Sequence, residues 1–343
     1  MLTPAYLKTN DTVAVVAPAG NIANIDIDGA ISIIKSWGLN VIEGKHLRES
    51  YFKYSGTVQQ RTSDLQSMLD DPNVKAIFCA RGGYGTIELI DNLNFDAFVK
   101  NPKWVIGYSD ITALHAHINN VLQVETIHAI MPSQYSNPEA EEAVNALKDA
   151  LFGEPVAYKI ESSLYNKKGE AYGNLTGGNL SVLYALNSNP EDVPQLDSIL
   201  FIEDVGEHLY HIDRMLINFK RSGKLSRFKG VIVGGFTDLK EDEKTFGKNV
   251  NQIVLQHLEN YDIPVCFDFP AGHFFRNMPL IMGRNTTLSV KKDFSEIIFD
   301  QKEGDEKIKL GKTIKPIIKY VLYFLAFFAM IGLLFTFFKF IAR

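Results

Sequence analysis

The 343-residue chain is poor in cysteine, tryptophan and proline, with two, two and 13 of each. Two thiols cannot frame a disulfide scaffold. With 25 glycines and 46 % hydrophobic residues, the chain is neither collagen-like nor disordered. Cys79 lies in KAIFCA and Cys266 in IPVCFDF, apolar runs without a C-x-x-C partner, so each is expected as a reduced, buried thiol. No His/Cys/Asp cluster has metal-ligand spacing. The first twenty residues hold no charged n-region followed by an apolar h-region, so no secretory signal is predicted. What is present, with 22 % charged residues, is an ordinary globular composition long enough for two domains.

Acid is absent from one end. All 40 acidic residues and 28 of the 35 basic ones lie in 1–306, a body of net charge −12, while 307–343 holds seven basic residues and no acid. So acidic a body is not expected to bind nucleic acid. Tyr320–Phe338 is nineteen residues without a charge. As a helix at 1.5 Å per residue it reaches roughly 28 Å, close to the thickness of a bilayer's hydrocarbon core. A buried core helix ordinarily keeps a polar stripe, and this segment has none. Lys307, Lys309, Lys312, Lys315 and Lys319 precede it, against Lys339 and Arg343 after it. The positive-inside rule then predicts a single-pass C-terminal membrane anchor with the body facing the cytoplasm.

The body reads as α/β. Apolar runs at Thr12–Ala17, Asn40–Ile42, Val74–Ala80, Trp104–Gly107 and Glu125–Ala129 alternate with helical patterns at Ile25–Trp37, Val58–Leu69, Gly85–Leu93 and Ile111–Val121. That alternation predicts a parallel sheet over 1–136 with ligands beyond its carboxyl-end edge. A connector is expected over 137–172, comprising a charged helix and the stretch YNKKGEAYG. A second α/β unit is expected over 173–300, then a basic linker over 301–319 and the membrane helix over 320–338.

Four constellations suit chemistry. In W-V-I-G-Y-S-D-I-T a strand ends at Gly107 and a helix begins directly after Ser109. That is the physics of a nucleophile elbow, a tight turn exposing a hydroxyl beside helix N–H groups. The competing reading makes Ser109 or Asp110 a helix cap. Arg81-Gly-Gly-Tyr-Gly follows another strand, and its glycines permit the positive φ and close approach of an anion-binding loop. It lacks the G-K-[ST] of a nucleotide loop. Arg81 is either a carboxylate anchor or a structural ion-pair partner. Phe201-Ile-Glu-Asp-Val delivers Glu203 and Asp204 at a strand's carboxyl end, and His273 follows a strand and a glycine. Ser109, Glu203 and His273 together form a triad candidate, which roles rather than order define.

Six blocks in order, V-A-P-A-G at 16–20, R-G-G-Y-G at 81–85, G-Y-S-D-I-T at 107–112, G-G-N-L-S at 177–181, E-D-V-G-E at 203–207 and G-H…P-L…G at 272–283, resemble the LD-carboxypeptidases. The resemblance implies an N-terminal flavodoxin/amidotransferase-like parallel-sheet domain carrying the serine. It also implies a C-terminal α/β swivelling domain carrying Glu and His. Ser109 would be the nucleophile, His273 the general base and Glu203 its partner. The oxyanion hole would come from N–H of Asp110 and of Gly83, with Arg81 and Gly82 at the substrate. The implied reaction releases terminal D-Ala from murein tetrapeptides in peptidoglycan recycling and needs no metal or organic cofactor, and the implied assembly is a homodimer.

Two features depart from the family. His128-Ala-Ile-Met131 stands where H-G-P-M is frequent, and family members typically lack a membrane span. The microcin-immunity amidases are similar in their triad but use an aromatic platform. Here Tyr165 or Tyr172 would have to supply it. A tethered, non-catalytic binding protein is a third reading, which the complete triad opposes. His115 and His117 are expected as surface or packing residues, and His208 and His211 in a non-metal role.

Overall fold

The computed structural model describes residues 1–192, 197–241 and 243–301. The expected linker beyond 301 and the expected membrane helix at 320–338 lie outside the described residues. Among the described residues no helix is long and apolar enough to cross a membrane.

The first sheet holds β1 (Thr12–Val16), β2 (Asn40–Glu43), β3 (Val74–Cys79), β4 (Trp104–Gly107) and β5 (Thr126–His128). These pair in parallel in the order β5-β4-β3-β1-β2. β4 and β5 are buried at every position, as strands covered on both faces must be. The helix Ile27–Ser36 buries Ile27, Ala30, Ile31 and Ile34 against this sheet and stops at Gly38, whose φ is +83°. The expected helix over Gly85–Leu93 contracts to Ile87–Ile90. Its first residues are held otherwise: the Gly85 carbonyl accepts from the Arg61 guanidinium and the Thr86 N–H donates to Asp110.

Two expectations need correction. The first sheet is not purely parallel, because Leu280–Met282 (β11) crosses from the second half and adds antiparallel to β5. Nor is 137–172 merely a connector, since it contains β6 (Ala157–Glu161) and the start of β7 (Gly169–Asn179). The glycines that made β7 look like a loop permit close strand approach. A Cβ on Gly173 would lie 1.9 Å from the Asp197 carbonyl oxygen, and one on Gly177 equally close to that of Phe201.

β7 continues into β8 (Ser198–Val205), β9 (Phe228–Thr237) and β10 (Val265–Cys266) as the parallel half of a second sheet. β12 (Asn285–Val290) and β13 (Phe294–Phe299) complete it with β6 in antiparallel pairing, giving the order β10-β9-β8-β7-β12-β13-β6. The fold is therefore α/β with two mixed sheets. β10 is shorter than the expected Val265–Phe269 because Asp268 turns the chain with φ +62°.

Residues 1–300 form one compact unit. Besides β11, a buried ion pair joins its halves: Arg284 Nη2 lies 2.8 Å from Glu125 Oε2, and both side chains are almost fully enclosed. Cys79 and Cys266 are free and buried, and burial pushes each thiol up to about 12.

Candidate active site

The carboxyl ends of β4 and β8 and the loop after β10 meet at one point. Past β4 the backbone is extended at Tyr108 and turns sharply at Ser109, whose φ is +63°. A non-glycine residue there is strained by about 1–3 kcal/mol. The turn requires Gly107, where a Cβ would stand 2.9 Å from Ile111 Cγ1. A 3-10 turn over Ser109–Ile111 and a helix over Thr112–Ala116 follow, and no side chain caps them. The capping reading of Ser109 and Asp110 therefore fails. Asp110 Oδ2 instead accepts from Thr86 N–H at 2.8 Å, tying the elbow to the glycine loop.

Ser109 Oγ lies 2.9 Å from His273 Nε2, and His273 Nδ1 lies 2.7 Å from Glu203 Oε2. An ionised carboxylate only accepts, so Nδ1 carries the proton and Nε2 is free to accept from the hydroxyl. Glu203 is fully enclosed, and its Oε1 has no hydrogen-bond partner among the described residues. The Tyr108 ring stands edge-on to His273 at 4.9 Å, with its hydroxyl donating to Gln134 Oε1. Behind His273, Asn277 Oδ1 accepts from Gly272 N–H at 2.9 Å. Gly272, with φ +140°, leaves room for the loop against Gly235 and Glu203. Tyr108 and Asn277 lie inside the blocks at 107–112 and 272–283, but nothing in their residue type marks them as partners of His273 or its loop.

The glycine loop closes one side. Gly82 is buried against the serine, where a Cβ would stand 2.9 Å from Ser109 Cβ and 3.1 Å from Oγ. Met131 backs it, so the departure at 128–131 still supplies a wall. Gly83 is exposed and, with Tyr84, Ser109 and Asp110, lines a cavity of about 320 Å³. The opposite wall comes from the second half, through Asn179, Ser181, Asp204 and Val205. Arg81 lies outside that lining, and its Nη1 donates to the Asn21 carbonyl at 2.9 Å.

Asp204 organises the second wall. Its carboxylate accepts from Asn179 Nδ2 at 2.9 Å, Ser181 N–H at 2.8 Å and Val205 N–H at 2.8 Å. Burial, and then the charge of Glu203, push it up to about 6 despite those bonds. Asn179 N–H in turn donates to Thr112 Oγ1 at 3.0 Å, joining this wall to the helix behind Ser109.

The other histidines stand apart from Ser109. His115 Nε2 donates to the Gly107 carbonyl at 2.8 Å under the elbow, and burial pushes it down to about 4. His128, also buried, packs edge-on against Phe201. His117 pairs with Glu191 and stacks on Phe95. His211 pairs with Glu207, and His208 lies 3.7 Å from Glu241. Among the described residues no group of three His, Cys, Asp or Glu side chains is placed to hold a metal ion. Tyr165 packs on Phe267 and Tyr172 donates to Asp300, so neither lines the cavity as an aromatic platform.

Residues 13–129 match the LD-carboxypeptidase N-terminal domain and residues 172–288 the LD-carboxypeptidase C-terminal domain. A probable murein peptide carboxypeptidase of Bacillus subtilis is 31 % identical over 305 residues, 88 % of this chain and 96 % of that protein. A microcin self-immunity protein of Escherichia coli is 25 % identical over 318 residues, 82 % and 91 % of the two chains. The muramoyltetrapeptide carboxypeptidase of Oxalobacter formigenes superposes with a TM-score of 0.76 at 25 % identity, covering 84 % of this chain and 99 % of that one. Two domain matches in order, and relatives spanning nearly the whole body, show that the chain belongs to the LD-carboxypeptidase family of serine peptidases.

Proposed function

We propose that the protein hydrolyses the amide between the L-centre of a diamino acid and the terminal D-Ala of murein tetrapeptides, free or bearing a muramoyl sugar, in peptidoglycan recycling. The observation that carries this reading is the continuous chain from Ser109 Oγ through His273 to Glu203. Ser109 attacks the carbonyl carbon while His273 Nε2 takes its proton, and the imidazolium then gives that proton to the departing amine of D-Ala. Water attacks the acyl-enzyme with His273 again as base, which regenerates the serine. Glu203, whose side chain has its only hydrogen bond among the described residues to His273, directs its charge at the imidazolium. N–H groups of Asp110 and Gly83 are assigned to the developing oxyanion. Gly82, buried against Ser109, is assigned to the substrate, and Arg81, which lies outside the cavity lining and donates to the Asn21 carbonyl, is given no contact with it.

Incubating the protein with a murein tetrapeptide and following D-Ala tests this reading. Ser109→Ala is expected to abolish release with the circular dichroism spectrum retained. Release that survives the substitution overturns the mechanism. The nineteen uncharged residues at 320–338 further support a membrane anchor with the body on the cytoplasmic side. Cell fractionation tests it: the full chain should sediment with membranes and a chain ending at Glu306 should not.

A further inference from the structure

Tyr51 and Tyr54 close a two-residue turn, Tyr51 N–H donating to the Tyr54 carbonyl at 2.9 Å and Tyr54 N–H to that of Tyr51 at 3.0 Å. Phe52, the first residue of the turn, has φ +54°. Such turns ordinarily place glycine there, and a bulky side chain is an outlier. Phe52 is 83 % exposed, and its ring meets that of Tyr51 edge-on at 4.8 Å. Backbone strain and exposed apolar area both work against stability. A lone exposed residue such as Leu164 needs no explanation. Phe52 is not alone, because Tyr51 and Tyr84 are each about half exposed and the Lys53 ammonium sits over the Tyr84 ring at 4.5 Å. The result is an aromatic rim in which Tyr51 and Phe52 touch directly and Tyr84 is joined to them through Lys53.

The rim is built onto the candidate active site. Asn21 N–H donates to the Lys53 carbonyl at 3.0 Å and Asn21 Nδ2 to the Phe52 carbonyl at 2.8 Å, while Arg81 donates to the carbonyl of Asn21. Tyr84 belongs to both places, lining the cavity with Ser109 and touching the rim through Lys53. The turn is thereby clamped to the glycine loop, and its rings are held on fixed backbone.

We propose that Tyr51, Phe52 and Tyr84 form a saccharide platform that receives the muramoyl end of the substrate, an assignment that rests on the murein reading of Ser109. One face of a pyranose ring presents C–H groups that pack on an aromatic ring, while its hydroxyls stay in water. Exposed rings carried on a hydrogen-bonded turn and on the glycine loop suit that contact, because the backbone needs little ordering on binding. Three residues upstream of the scissile bond extend roughly 10 Å, enough to carry a sugar out of a cavity of this size. A rim of three rings is too small for a stable contact with a second copy of the chain, which needs about 1,000 Å².

The test is calorimetric binding to the full-length Ser109→Ala protein in detergent, with muramoyl-tetrapeptide and bare tetrapeptide as ligands. The sugar-bearing ligand should bind about tenfold tighter. Adding Phe52→Ala should bring the ratio of the two affinities close to one, and Phe52→Trp should keep it. A ratio near one before Phe52 is changed, or one that Phe52→Ala leaves intact, overturns the platform. So does a shift in sedimentation from dimer to monomer on Phe52→Ala, which would mark the rim as an interface. D-Ala release from bare tetrapeptide by the unsubstituted protein reads the underlying function separately. Release without a sugar preference sinks the platform alone, whereas neither release nor binding sinks both.

Discussion

His273 Nε2 stands 2.9 Å from Ser109 Oγ across 164 residues of sequence. The serine belongs to the end of β4 and the histidine to the loop that follows β10, so their contact depends on the packing of both halves of the body. β11 and the Arg284–Glu125 pair fasten those halves together. Under the proposed mechanism, stability of that junction and catalysis are therefore coupled through geometry.

Glu203 is the member of the chain whose charge can be removed with its shape kept. Glu203→Gln presents an amide to His273 and favours the tautomer whose Nε2 bears the proton, which cannot accept from Ser109. We expect kcat for D-Ala release to fall by about 10²–10⁴ with KM little changed. Thermal unfolding should show no loss of stability, since the substitution takes an enclosed charge out of the core. Activity within a factor of three of the unsubstituted protein would remove Glu203 from the mechanism.

Asp204 makes stability depend on pH in an unusual direction. Its carboxyl is raised to about 6 in the fold from 3.8, so the native state binds the extra proton between those values. Stability linked to this group is thus highest below pH 4 and declines as pH rises through 6, by up to about 3 kcal/mol. Asn at this position does not titrate. The unfolding free energy of the unsubstituted protein minus that of Asp204→Asn should therefore be larger at pH 4.5 than at pH 7.5 in urea titrations. A constant difference would show that Asp204 does not titrate in this window.

How much was legible in the sequence follows from what each element buries. β4, WVIG, is enclosed at all four positions, and its apolar run alone marks its bounds as Trp104–Gly107. Ser109, Glu203 and His273 were also legible, because each follows or ends an apolar strand. β7 reads in part as connector, since GEAYGNLTGGN has little apolar periodicity and its glycines serve contacts that only the folded neighbours reveal. β11 was hidden for another reason: three residues cannot announce a partner strand about 150 positions away. Asn277 and Tyr108 act by contact with His273 or its loop, and no local pattern encodes such contact.

Arg284 and Glu125 are both enclosed, and each compensates the other's charge. Burial alone would lower the guanidinium, yet Glu125 holds it above its ordinary range. Removing one partner leaves the other charge in the interior, which costs more than the pair contributes. Arg284→Ala should lose about 3–5 kcal/mol in urea unfolding. Because β11 lies beside this pair, D-Ala release should fall below the loss expected from the folded fraction alone. A stability change under 1 kcal/mol would mean that the pair is solvated or replaceable.

Gly82 offers the smallest perturbation that reaches Ser109, the proposed nucleophile. One methyl group at that position would sit 2.9 Å from Ser109 Cβ and 3.1 Å from its Oγ, distances that force one of the two to move. The serine already holds a strained φ of +63°, so it is the softer partner. A displacement of even a few tenths of an ångström breaks its alignment with His273 Nε2. We expect Gly82→Ala to lower kcat about 10²-fold, on the scale of a misplaced reacting group. The melting temperature should change by only a few degrees, as the loop lies at the edge of the cavity rather than in a core. An active-site serine reagent read by intact-protein mass spectrometry separates causes. Slowed labelling of Ser109 places the fault at the hydroxyl, whereas labelling at the unsubstituted rate would show that Gly82 acts on substrate and not on the serine.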